Sequence, residues 1–179
     1  MAKPRKMLCD LKADYTQNLM RLIETQSKVT LANWALDYAE QHYLPIYAKY
    51  FPTDQRPRRA IQAARLWLAG DIKLPQAKPF ILDAHAAARE AEAVPSAQAA
   101  ARAIGQAAST IHSATHSLGL AFYGSAAVAY ESFGSQASAD IYERVMKEEV
   151  GQVTAALKAI AIENEPIRPK STGIANLKH

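Results

Sequence analysis

The sequence predicts an all-α protein: a single-domain multi-helix bundle with a buried, alanine-rich central helix or helix pair. Three observations predict it. Apolar residues recur at helical spacing along most of the chain, and no run alternates apolar and polar residues long enough to read as a strand. Residues 103–130 (AIGQAASTIHSATHSLGLAFYGSAAVAY) hold 28 positions without one Asp, Glu, Lys or Arg, in a chain that is 21% charged overall. The segments AHAAARE and AQAAARAIGQAA beside it are rich in small residues, which allow neighbouring helix backbones to approach closely.

The elements follow in chain order. A first helix is predicted over residues 8–25, with Leu8, Leu11, Tyr15, Leu19 and Leu22 on one face. Ser27 is placed to cap a second helix, whose stripe includes Leu31, Trp34, Tyr38 and His42. Pro45 must kink or end it, because proline lacks a donor and clashes one turn back. FPTDQRP then reads as a loop. A third helix has Asp54 before it, Pro57 in its first turn and Gly70 at its left-handed end, and buries Ile61, Ala64, Trp67 and Leu68. KLPQAKP reads as another loop, since Pro75 and Pro79 both resist helix interiors. A fourth helix is predicted over residues 80–93 and a fifth from Pro95-Ser96, with Ser96 as cap. The last long helix, over residues 138–164, sets Tyr142, Met146, Val150, Val153, Leu157 and Ile160 at spacings of 4, 4, 3, 4 and 3. Residues 1–165 are thus expected to form one helical domain, and residues 166–179 (PIRPKSTGIANLKH, to the chain's end) an extended tail.

The charge-free stretch is not expected to cross a membrane. Gln106, His112, His116 and several hydroxyls crowd its first half, and its apolar part is short and contains Gly119 and Gly124. It is predicted as one helix, or two broken near Gly119, enclosed by other helices. His112 and His116 then project from one helix face. That spacing can hold a metal, but the glutamate of the HExxH pattern is missing (HSATH), and a third ligand would have to come from His85, Asp83, Glu90 or His42. The expectation is no metal, with each imidazole satisfied by Ser, Thr or backbone groups.

Composition narrows the function classes. One cysteine, Cys9, excludes an internal disulfide and suits a reducing cytoplasm. The basic N-terminus lacks the apolar run of a signal peptide, being interrupted by Asp10, Lys12 and Asp14, so the protein is read as cytoplasmic. The formal charge of +4 is modest and spread out: Arg56, Arg58, Arg59 and Arg65 cluster, but Glu143, Glu148 and Glu149 offset them elsewhere. Nucleic-acid binding is permitted by that charge but indicated by no motif.

The other unusual segment is PTDQRPRRAIQAARLWLAGDI, residues 52–72. Asp54 with Arg56 and Arg58 can form a local salt-bridged cap: the carboxylate suits a helix N-terminus, whereas arginines oppose the dipole there. They need acidic partners (Asp37, Glu40 and Asp83 are candidates) or an external anion. Together with WALDYAEQHYLPIY, AHAAAREAE and ARAIGQAASTIHSATHSLGLAFY, this segment resembles a bacterial family of immunity proteins associated with polymorphic-toxin systems. The likeness runs over residues 33–130. Its most specific element is the Asp-x-Arg-Pro-Arg signature at Asp54, Arg56, Pro57 and Arg58. Trp34, Trp67, Gly70, Arg89, Arg102, His116 and Tyr123 also fit the family pattern. The resemblance implies an all-helical fold, a cognate protein toxin as partner and no established catalytic residues or cofactor.

Three functions compete. In the first, the chain is a non-catalytic binding protein that occludes a toxin, with a homodimer through the last helix as an added option. Its basic balance argues against a nuclease toxin unless Glu143, Glu148 and Glu149 form a local acidic face. In the second, Asp54, Arg56 and Arg58, with His116, bind a small anion or act as an enzyme. The third is a basic nucleic-acid-binding module. The candidate binding residues are Asp54, Arg56, Arg58, His112 and His116.

Overall fold

A computed structural model describes residues 4–167. Its elements are α1 (Asp14–Glu24), α2 (Lys28–Tyr38), a π-helical turn (Ala39–Tyr43), α3 (Leu44–Tyr50), α4 (Arg56–Ala69), α5 (Leu74–Glu90), α6 (Pro95–Ser109), α7 (His116–Phe133) and α8 (Ala139–Ile160). There is no strand among the described residues. The all-α multi-helix bundle read from the sequence is the fold observed.

The centre is α6. It packs against α2, the π-turn, α3, α4, α5 and α7, and it buries all of its alanines from Ala97 to Ala108. Alanine is suited to that place because each side chain adds little bulk, so six neighbours can close on one rod and fill the interior at crystal-like density. The turn at residues 110–115 folds α7 back onto α6, and α7 in turn carries α8 on its outer side. Tyr43, Tyr47, Leu31, Leu36, Ile61 and Leu120 fill the spaces between the alanine-lined rods. The charge-free stretch is therefore this hairpin, interior except at its turn.

Close packing also explains two glycines of α7. A Cβ on Gly124 would lie 2.0 Å from the Tyr43 hydroxyl oxygen, so α7 can cross that wholly buried ring only without a side chain. At Gly119 a Cβ would lie 2.7 Å from Gln106 on α6. Gly119 accordingly lies inside α7 as a contact point and not at a break. The chain breaks earlier, at residues 110–115, which removes His112 from any helix and leaves His116 as the first residue of α7. The two histidines do not share a helix face.

Other elements hold or shift for local reasons. Ser27 caps α2 by accepting from Thr30 N–H at 3.2 Å, and Ser138 caps α8 by accepting from Ile141 N–H at 3.4 Å. Gly70 ends α4 at φ +84, in the left-handed region. At Pro45 the helix neither stops nor simply bends: it widens into the π-turn, and Pro45 then sits in the first turn of α3, where no donor is required. KLPQAKP is mostly helix, not loop. Pro75 occupies the first turn of α5, and Pro79 forfeits one bond at an exposed stretch near the start of the helix, where water can satisfy the freed carbonyl. Pro95 likewise opens α6, so Ser96 is buried within its first turn rather than capping it. The first helix begins at Asp14. Leu8 precedes it in a non-helical segment, buried and held by Leu8 N–H to Phe122 C=O at 3.2 Å, while the Tyr130 hydroxyl donates to Arg5 C=O at 2.8 Å. Cys9 beside it is exposed, not packed.

The last helix stops at Ile160, and the following residues return to α2. Gln26 and Ile162 exchange a pair of hydrogen bonds: Gln26 Nε2 donates to Ile162 C=O at 3.1 Å, and Ile162 N–H donates to Gln26 Oε1 at 2.8 Å. The Glu165 carboxylate accepts from Ser27 N–H at 2.6 Å and from the Thr30 hydroxyl at 2.7 Å. Of the tail expected over residues 166–179, positions 168–179 lie outside the described residues.

Candidate functional site

The Asp-x-Arg-Pro-Arg signature lies where the chain leaves α3 and enters α4. Asp54 precedes the helix, and its Oδ1 accepts from Arg56 N–H at 3.0 Å, the local carboxylate cap that an aspartate there provides. Its side chain also holds the Arg56 guanidinium, with Nε at 3.0 and 3.1 Å from the two oxygens and a terminal nitrogen at 2.7 Å from Oδ2. The buried Tyr47 hydroxyl donates to Oδ2 at 2.7 Å. On its outer side Arg56 forks onto Glu90, at 3.0 and 2.6 Å, joining the start of α4 to the end of α5.

These contacts settle the charges of the group. Hydrogen bonds from the Arg56 side chain, opposed by burial and helped by Tyr47 and the Arg56 backbone, hold Asp54 down at about 2. Glu90 is lowered by the hydrogen bond and charge of Arg56, and burial followed by the Asp54 hydrogen bond drives Tyr47 upward. Every guanidinium nitrogen of Arg56 faces a carboxylate, and both Asp54 oxygens are engaged. Arg58, two residues on, is exposed and has no ion pair among the described residues. Of the acids offered by the sequence, Asp37 and Glu40 pair instead with Arg65, at 2.9 and 2.6 Å.

His112 and His116 belong to a different place. With His85 of α5 they line a cleft of about 180 Å³ between α5 and the α6–α7 turn. Leu74, Ile81 and Leu82 give it an apolar wall, and Lys78 also lines it. Asp54, Arg56 and Arg58 are not part of its lining. The two imidazoles lie 6.5 Å apart between ring centres, and His116 Nδ1 is 2.9 Å from Gln106 Oε1. Burial, then the charge of His112, lowers His116; burial, then Arg89, His116 and Arg102, lowers His85. Both rings are thus biased toward the neutral form. Among the described residues no group of three His, Cys, Asp or Glu side chains is arranged to hold a metal.

A second polar group went unread in the sequence. Glu149 is buried inside α8 and accepts from Tyr43 at 2.6 Å and Tyr38 at 3.0 Å. Burial and the neighbouring carboxylate raise both tyrosines, so they remain donors. An acidic face on α8 thereby loses one of its three members. Glu143 and Glu148 remain exposed, interspersed with exposed Arg144 and Lys147. The α8 stripe also points inward, with Val145, Val150, Val153 and Leu157 buried. Only pairing of Tyr38 and Glu149 at matching helix faces could have exposed this network in advance, and an isolated glutamate gives no such sign.

The described residues form an all-helical scaffold whose most distinctive charges tie one helix to the next. No helix of the described residues is long and apolar enough to cross a membrane. The chain belongs to the family described as "Imm-5 like putative immunity protein", whose sequence profile matches residues 21–158. No curated protein and no solved structure matches the chain.

Proposed function

We propose that this protein is a cytoplasmic immunity protein that neutralises a cognate toxin by binding and occluding it, without catalysis of its own. The observation that carries the reading is family membership across residues 21–158. The geometry of the signature supports it. Asp54 and Arg56 serve each other, Tyr47 and Glu90, so the Asp54–Arg56 pair is engaged within the fold, and only Arg58 of the signature stays exposed. A binder needs only a rigid scaffold and a complementary face, and the interlocked bundle provides the first.

The same charges bear on the toxin. With Glu149 turned inward and Glu143 and Glu148 interspersed with basic neighbours, α8 offers no broad acidic face for the basic active site of a nuclease. The reading therefore favours a toxin of another class. It also disfavours self-association through α8, whose Val145, Val150, Val153 and Leu157 are buried within the bundle.

Co-expression with the product of an adjacent toxin gene tests it. Growth should be restored, and the two proteins should co-purify as a stable complex. Continued killing, with soluble immunity chain that captures no toxin, would overturn the reading. Restored growth without a complex would instead point to chemistry on the toxin or its product.

A further inference from the structure

We propose that the cleft between α5 and the α6–α7 turn is a binding site for a small amphipathic carboxylate, an acid with a short aliphatic or aromatic body. It arises because positions 74, 78, 81, 82 and 85 fall on neighbouring rows of one helix, so α5 presents Leu74, Ile81 and Leu82 together with Lys78 and His85 to the same space. The opposite wall comes from His112 in the turn and His116 at the start of α7, brought there because the chain breaks before α7.

The volume sets the size of the ligand. An apolar cavity of about 150 Å³ takes up benzene, so about 180 Å³ suits one ring or a six-carbon chain with its head group. The polar groups set its charge. His85 is half-buried, and among the described residues His85 has no hydrogen-bond partner and Lys78 no ion pair. His116 has only its Nδ1 committed, to Gln106. The charged groups that act on His85 are Arg89, His116 and Arg102, all basic. Asp83, the acid nearest in sequence, does not line the cleft. Unpaired donors in a positive field, set against an apolar wall, suit one carboxylate. A single fixed ammonium with imidazoles biased to neutrality does not match a dianion such as phosphate.

The experiment is a titration of the full chain, observed through the histidine ring and leucine or isoleucine methyl NMR signals, with hexanoate, 1-hexanol and inorganic phosphate. Hexanoate should shift the signals of His85, His112, His116 and Ile81 saturably. Hexanol should bind about ten-fold more weakly, and phosphate should leave these signals in place, as expected where one charge-assisted hydrogen bond carries the difference. Lys78 is exposed, so its substitution leaves the core untouched. Lys78→Gln should weaken hexanoate about ten-fold without changing hexanol, and Lys78→Arg should retain most of the affinity. No saturable shift with hexanoate, equal affinity for hexanol, binding of phosphate at the same signals, or indifference to Lys78→Gln would each overturn the assignment.

Discussion

Replacing Arg56 by alanine separates a structural pin from a contact made to a partner. Asp54 titrates at about 2 against an ordinary 3.8, and hydrogen bonds from Arg56 are the largest cause. Each unit of such a shift corresponds to about 1.4 kcal/mol, and Asp54 is partly solvated, so losing Arg56 removes about 2 kcal/mol through this partner at most. Glu90 is two-thirds exposed, so solvent screening leaves its ion pair with Arg56 a minor contribution. A loss of about 2 kcal/mol lowers the melting temperature by about 4–8 °C in a chain of this size. The pH profile carries the sign. A carboxylate with a depressed folded pKa stabilises the fold above its unfolded value and loses that contribution as pH falls through the folded one. The gap between the parent protein and Arg56→Ala should therefore be full above pH about 4 and close toward pH about 2. Urea unfolding followed by circular dichroism across that range measures it. Equal stability of the two proteins at neutral pH, or a gap that persists unchanged in acid, would refute the assignment of Arg56 to the fold. Unaltered stability with lost toxin protection would show instead that the guanidinium addresses the toxin.

Three other outcomes follow from packing and polar satisfaction. Gly124→Ala drives a methyl into the Tyr43 ring and should cost about 3 kcal/mol or more in chemical denaturation; adding Tyr43→Leu should recover part of that loss, as coupled neighbours do. Tyr43→Phe takes the 2.6 Å donor from buried Glu149 and should destabilise by about 1–3 kcal/mol, measured in the same way. Gly70→Ala meets no atoms but must adopt φ +84, and should lower stability by about 1 kcal/mol in thermal unfolding.

Helical periodicity and alanine content made the bundle readable, because a rod packed on all sides leaves both marks in its own sequence. Breaks were less readable. Pro75 and Pro79 look alike in a string, yet one begins a helix and the other rides inside it, and only the exposure of that stretch decides. Gly119 suggested a break because glycine at a tight contact and glycine at a turn are the same letter. The pairing of Asp54 with Arg56 is local and was within reach, whereas the Glu90 end of the fork comes from 34 residues away and depends on how α4 lies on α5. The histidine cleft had the same difficulty: His112 and His116 were visible as a pair, but His85 and Lys78 join them only through tertiary placement.

The clasp between Gln26 and Ile162, with Glu165 on Ser27 and Thr30, has a practical outcome for anyone trimming the gene. The limits set by family likeness, 21 and 158, fall inside the limits set by packing. A fragment excised there would lack Leu8 and Leu19, both sealed within the interior of the full chain, and would leave the opening of α2 without its far-end latch. Such a piece would present raw apolar flanks and aggregate, and failure to protect cells in that form would say nothing about the intact protein.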